Sequence, residues 1–178
     1  MRFVKMQGIG NDYVYVDCIR QPLPSDIASL ATKISDRNFG VGGDGLILIC
    51  PSDKADARMR MFNNDGSESE MCGNGIRCVA KFAVERGLSR KNPLRIQTQR
   101  GTLAVSWRAD AHGKVQEVSV DMGLPILEMS HIPAQIEGFL AESHVIGAPL
   151  PASWWALKAN SNWQHACGYN EKITLVSM

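Results

Sequence analysis

The chain has 178 residues, of which 44% are hydrophobic and 21% charged, an ordinary globular balance with enough length to bury a core without disulfide or metal staples. Its net charge is +1 and its basic residues are dispersed; the densest patch, Arg86 to Lys91, is broken by Gly87 and Leu88, so no nucleic-acid partner is expected. No apolar run reaches membrane-span length, the opening residues alternate like a strand instead of forming a signal peptide, and the five cysteines (18, 50, 72, 78 and 167) are odd in number and irregularly spaced. No membrane partner and a reducing, cytoplasmic address are therefore expected, where each cysteine is either a packed small hydrophobe or a reactive thiol.

Phe3–Met6 and Tyr13–Val16 are predicted as strands around a turn at Gly8 to Asp12, on their β-branched and aromatic content. Ser25 is placed to cap a helix over residues 26–36, with Ile27, Leu30, Ala31 and Ile34 on one face. Leu46 to Cys50 is a short apolar run, read as a buried strand, and Arg58 to Phe62 as another. Ile76 to Arg86 carries apolar residues at 76, 79, 80 and 83, the helical spacing, with Gly87 where a C-cap belongs. Ile96 to Trp107, broken by Gly101-Thr102, and Val115 to Val120 complete a strand-rich order with two helices, an α+β or mixed α/β class. Beyond residue 150 the chain changes character: Trp154, Trp155 and Trp163 cluster near Pro149 and Pro151, and Lys172 to Met178 reads as a strand.

Chemistry concentrates in residues 62–78, where a polar, Gly-containing loop runs into a helix with Cys72 at the junction. A sulfur there meets the positive end of the helix dipole and unpaired N–H groups, both of which favour a thiolate. Gly73 and Gly75 remove side chains beside it, so the backbone amides form a seat for a carboxylate. Such a thiolate could attack an electrophile or remove a proton α to the carboxylate. On residue chemistry alone, a buried helix-capping role for Cys72 is equally open. A cysteine hydrolase would need a nearby histidine, yet His112, His131, His144 and His165 all lie far downstream. Cys72 and Cys78 lack a second pair for zinc, so no metal is expected. Residues 40–45 match G-x-G-x-x-G, but a strand follows instead of a helix, which removes the dinucleotide reading.

The run from Asn63 through Asp65-Gly66-Ser67-Glu68 to Met71-Cys72-Gly73-Asn74-Gly75, Arg77 and Cys78 closely resembles the first active-site motif of diaminopimelate epimerases. Phe3, Lys5-Met6, Gly8 and Gly10-Asn11-Asp12 are similar to that family's opening; Asp36-Arg37 with Gly40-Val41-Gly42 and Asp44-Gly45 resembles its second Gly-rich loop. Val118, Val120-Asp121-Met122-Gly123 and Pro125 resemble the strand and turn that follow. The resemblance implies a mixed sheet wrapped around a central helix, one of two pseudo-symmetric domains. It also implies a reaction without pyridoxal phosphate, metal or any other cofactor, in which two cysteines on opposite faces of the α-carbon take and return the proton. Cys72 would be one of that pair; Asn11, Asn63, Gly73 and Asn74 match positions that hold the amino and carboxylate groups of the small-molecule substrate, diaminopimelate. Tyr13, Asp44, Arg77 and Cys78 are taken as structural. Some relatives carry Gln after the Asp44 position, but this chain has Gly45, so no contact is carried over there.

The expected organisation is an N-terminal epimerase domain over residues 1–126, then residues 127–178 as the remainder of that domain with an atypical Trp-rich segment. Thr174 to Met178 resembles the start of a family stretch leading into the second domain, so a truncated half with little activity alone is expected, in lysine biosynthesis. Cys167 is set aside as partner thiol because Tyr169 to Lys172 leads into a strand. A homodimer, or association with a missing second half, is the partner expectation. Two alternatives stay open: a proline or hydroxyproline racemase-like enzyme, whose motif has His where Asn74 stands, and a non-catalytic amino-acid-binding half.

Overall fold

The computed structural model describes residues 1–132, 140, 144, 148–149 and 172–173. It divides into two compact units, Met1–Asp121 and Met122–Met178.

In the first unit, β1 (Val4–Gly8) and β2 (Asn11–Asp17) form an antiparallel hairpin through Ile9 and Gly10, both at positive φ (54° and 80°). The turn is thus shorter than residues 8–12, and Asn11 opens β2 opposite Gly8 instead of lying in the turn. Positive φ at both central residues is the hairpin geometry that matches strand twist. α1 (Ile27–Ser35) follows; its N-cap is Asp26, not Ser25, because the Asp26 carboxylate accepts from the Ser29 N–H at 3.1 Å. β3 (Gly45–Cys50) is buried throughout, as its apolar run requires, and pairs with β4 (Ala57–Asn63), to which the two-residue β5 (Glu68–Ser69) adds.

α2 (Gly73–Glu85) begins three residues before the first apolar position of its periodic run. It ends where Gly87, at φ 68°, allows Leu88 N–H to reach Ala83 O and Gly87 N–H to reach Val84 O. β6 (Leu94–Thr98), β7 (Gly101–Ala109) and β8 (Val115–Val120) complete the unit, with the β6–β7 break at Gln99-Arg100, just before the expected Gly101-Thr102.

The sheet order is β1-β2-β3-β4-β6-β7-β8, antiparallel except at β2–β3 and β4–β6. Those two parallel joins are the ones spanned by α1 and α2, since parallel neighbours need a long crossover. α1 packs on β2, β3 and β4, whereas α2 touches β1 at one edge and β8 at the other, so the sheet wraps the second helix. Period-two alternation sorts the core between the faces. Tyr13, Tyr15, Ile47 and Ile49 meet α2 residues Ile76, Val79 and Phe82, while Val14, Val16, Leu46 and Leu48 meet Ala31 and Ile34 of α1.

In the second unit a short 3₁₀ turn spans Met129–His131, Glu128 bridges His144, and β9 (Ala148–Pro149) pairs antiparallel with β10 (Lys172–Ile173). The three clustered tryptophans, Cys167 and residues 174–178 lie outside the described residues.

Candidate active site at the start of the second helix

Cys72 is the N-cap of α2, extended at φ −136°, ψ 117°, and half-buried. Its Sγ accepts from the Gly75 N–H at 3.3 Å and donates its S–H to Asn11 Oδ1 at 3.3 Å. The sulfur thus sits between a donor and an acceptor, with the Tyr13 phenol beside it. The first helical hydrogen bond, Ile76 N–H to Cys72 O, leaves the N–H groups of Gly73 and Asn74 without a partner inside the helix. Gly75 differs from the expectation of an open approach to the sulfur. A Cβ there would lie 2.7 Å from Ile47 Cδ1 and 3.1 Å from Met59 Cε, so its bare Cα lets α2 settle on β3 and β4.

Asn11 reaches Cys72 because β2 begins beside the start of α2; Gly8, its partner in the hairpin, would place a Cβ 3.1 Å from Asn74 O. The Asn11 amide is held from behind: Nδ2 donates to Asp44 Oδ2 at 2.6 Å, and the Asp12 N–H donates to the same oxygen at 2.9 Å. Arg37 then bridges Asp44 Oδ1 (2.9 Å) and Asp12 Oδ1 (2.8 Å), and Lys5 adds a 3.0 Å ion pair to Asp12. The Arg37 hydrogen bond, reinforced by Lys5, outweighs burial and holds the Asp12 carboxyl at about 2.

Two positions along the same face of β2, Tyr13 is buried beside Asn11 and Cys72; burial first, then negative charge at Cys72, pushes its phenol up to about 12. Burial likewise pushes the Tyr15 phenol and the Cys78 thiol up. Cys18 and Cys50 are packed against the α1-side core, the first pushed up to about 12 by burial.

The expected site residues do not all converge. Cys72, Gly73, Asn74 and Asn11 come together at the helix start. The Asn74 side chain accepts from Arg77 of its own helix. Asn63, at the end of β4, turns to its own loop instead: Nδ2 donates to Ser67 Oγ at 3.0 Å, and its backbone pairs with Ser67 and Gly66. That is the hairpin-holding geometry of its Asp-Gly-containing loop. Sequence reasoning took Asp44 as structural and gave Arg37 and Lys5 no part in the site. All three stand in stretches that resemble the family, but their partners lie 7 to 33 residues away. Gly45 has a steric reason: a Cβ there would meet Phe62 O at 2.1 Å and Tyr13 Cε1 at 2.9 Å. The 710 Å³ hollow lined by Gly8, Arg77 and Cys78 lies next to these elements, but Cys72 does not line it.

The diaminopimelate epimerase family model matches residues 3–128. Among curated relatives, a diaminopimelate epimerase of Acetivibrio thermocellus is 52% identical over 135 residues, covering 75% of this chain and 47% of the relative. One from Pelotomaculum thermopropionicum is 48% identical over 151 residues, covering 84% and 52%. This chain therefore spans about half the length of the curated relatives it matches. Among solved structures, a hydroxyproline epimerase from Agrobacterium vitis shares the fold at 17% identity and TM-score 0.53, over 75% of this chain and 44% of that one. A methylitaconate-delta-isomerase does so at 19% and 0.52, over 64% and 35%. At such identities the likeness speaks for the fold alone. The family match spans β1, the Gly-rich loop, Cys72 and β8, and the chain belongs to the diaminopimelate epimerase family.

Proposed function

We propose that this chain supplies one thiol, Cys72, and part of the substrate seat for cofactor-free epimerisation of LL- to meso-diaminopimelate. One observation carries the reading: the Cys72 sulfur lies between the Gly75 N–H and Asn11 Oδ1, next to two helix-start amides that α2 leaves unpartnered. In the forward step the thiolate takes the α-proton. The C–H bond breaks, an S–H bond forms, and the electron pair delocalises into the substrate carboxylate. The amides of Gly73 and Asn74 donate to that carboxylate, where the growing charge is stabilised by donors already in place. Inversion then needs a second thiol to give a proton to the opposite face. Asn11, which meets the sulfur, would also meet the substrate in this reading. Asn63 joins only if its amide leaves Ser67 on binding.

The test is proton NMR of LL-diaminopimelate in deuterated buffer with this chain and with Cys72→Ala. The expected result is loss of the α-proton signal with intact Cys72 and none with the variant. Exchange that survives in Cys72→Ala, or exchange by neither protein, leaves Cys72 as a helix cap and overturns the reading. Running the same assay with proline as competitor separates a proline-racemase-like preference, which would show as proline exchange exceeding that of diaminopimelate.

A further inference from the structure

We infer that Asp44 is a positioning residue: by fixing which end of the Asn11 amide faces Cys72, it sets the balance between thiol and thiolate at that sulfur. The inference deepens the reading of Cys72 as a proton-transfer group and rests on it for its catalytic meaning, but its geometry stands without substrate.

A carboxylate offers only acceptors, so the end of the Asn11 amide that meets Asp44 Oδ2 at 2.6 Å must be the Nδ2 donor. The other end, Oδ1, is thereby turned to Cys72 Sγ at 3.3 Å. Asp44 cannot itself relax, because Oδ2 also takes the Asp12 N–H, its own N–H donates to Asp12 O at 2.6 Å, and Oδ1 is paired with Arg37. Asn11 Oδ1 accepts a hydrogen bond from the neutral thiol and repels a thiolate. The Gly75 N–H and the dipole of α2 act in the opposite sense. Reversing the amide would turn all three influences toward thiolate. A sulfur held between a donor and an acceptor suits a group that gives a proton in one direction of a reversible reaction and takes it in the other.

Among the described residues, these titratable groups face the sulfur. Tyr13 and Tyr15 approach from β2, Cys78 from α2, and Asp44 lies behind Asn11. Burial keeps both phenols protonated to about pH 12 or beyond, and it pushes the Cys78 thiol up as well.

The test is the rate of Cys72 alkylation by iodoacetamide from pH 6 to 9, resolved by site with mass spectrometry. The proteins are this chain, Asp44→Asn, Asn11→Ala and the double variant. In Asp44→Asn the amide is free to turn, and the profile is expected to move to lower pH with an unchanged high-pH plateau, speeding alkylation near neutrality about three- to tenfold. Asn11→Ala should move the profile the same way, and adding Asp44→Asn to it should change nothing further. The inference is overturned if the Asp44→Asn profile is unmoved or moves to higher pH, if only its plateau rises, or if its effect persists in the Asn11→Ala background. Should Asp44→Asn fail to fold, Asn11→Ala decides alone: an unmoved profile overturns the inference and a shift to lower pH supports it. The NMR exchange assay on the same proteins reports separately on the proton-transfer role of Cys72.

Discussion

Ile9 is a β-branched residue at φ 54°, 86% exposed, in the first central position of the β1–β2 turn. Left-handed backbone brings Cβ against the following carbonyl, and Asn or Gly is the usual occupant of that position. Ile9→Asn is therefore expected to stabilise the chain by about 1 kcal/mol, read from the midpoint of chemical denaturation. A destabilised variant would mean that the Ile9 side chain contributes more through packing than its backbone costs. At the same scale, the bare Cα of Gly45 follows from an approach and not from backbone freedom: with Phe62 O 2.1 Å from any added Cβ, β3 and β4 could not keep their register.

Among the elements, the β1–β2 hairpin and the loop entering β3 are joined by charge as well as by strand pairing. Lys5, Asp12, Arg37 and Asp44 form one chain of ion pairs across them. Asp12 has a folded pKa of about 2 against an ordinary 3.8, chiefly through the Arg37 hydrogen bond. A depressed carboxyl means that the unfolded chain binds the proton first. The contribution is therefore fully present above about pH 4 and is lost as pH falls through about 2. Asp12→Asn should flatten the loss of stability over that window, measured by denaturant titration at stepped pH. An acid limb as steep as that of the unsubstituted chain would show that Asp12 is not its source. The same network stands behind Asn11, so the elements that stabilise the hairpin also orient the amide beside Cys72.

Across the whole molecule, the first unit is a complete sheet-and-helix layer structure, yet its chemistry is one-sided. Cys72 is presented to the Gly75 N–H and Asn11 Oδ1 with the Tyr13 phenol beside it, and two-faced proton transfer needs a second acid. Full-length curated relatives are about twice the span matched here. Mixing this chain with the separately made carboxyl-terminal half of the Acetivibrio thermocellus relative is expected to yield meso-diaminopimelate, and this chain alone is expected to give α-proton exchange with little inversion. Chiral chromatography of the product reads the outcome, and complete epimerisation by this chain alone would remove the need for a second half. No described helix is long and apolar enough to cross a membrane.

The sequence by itself determined the elements and the place of the sulfur. The all-apolar β3, the alternation in β2 and the 3.6-residue spacing of α2 each state which faces are buried, because burial imposes the period of the element on its residues. Cys72 at a loop-to-helix junction between glycine-rich stretches was legible for the same local reason, as was its likeness to the family motif. What only the tertiary structure decided depends on residues distant in the chain. The Asn11 amide meets Cys72 across 61 residues and Asp44 across 33. Asn63 is drawn to Ser67, although likeness to the family motif grouped it with the substrate ligands. The bare Cα of Gly75 makes room for Ile47 and Met59, while its N–H reaches the sulfur. Hydrogen-bond direction and close packing are settled by which strands lie side by side, and the two parallel crossovers through α1 and α2 decide that only once the sheet has closed around the second helix.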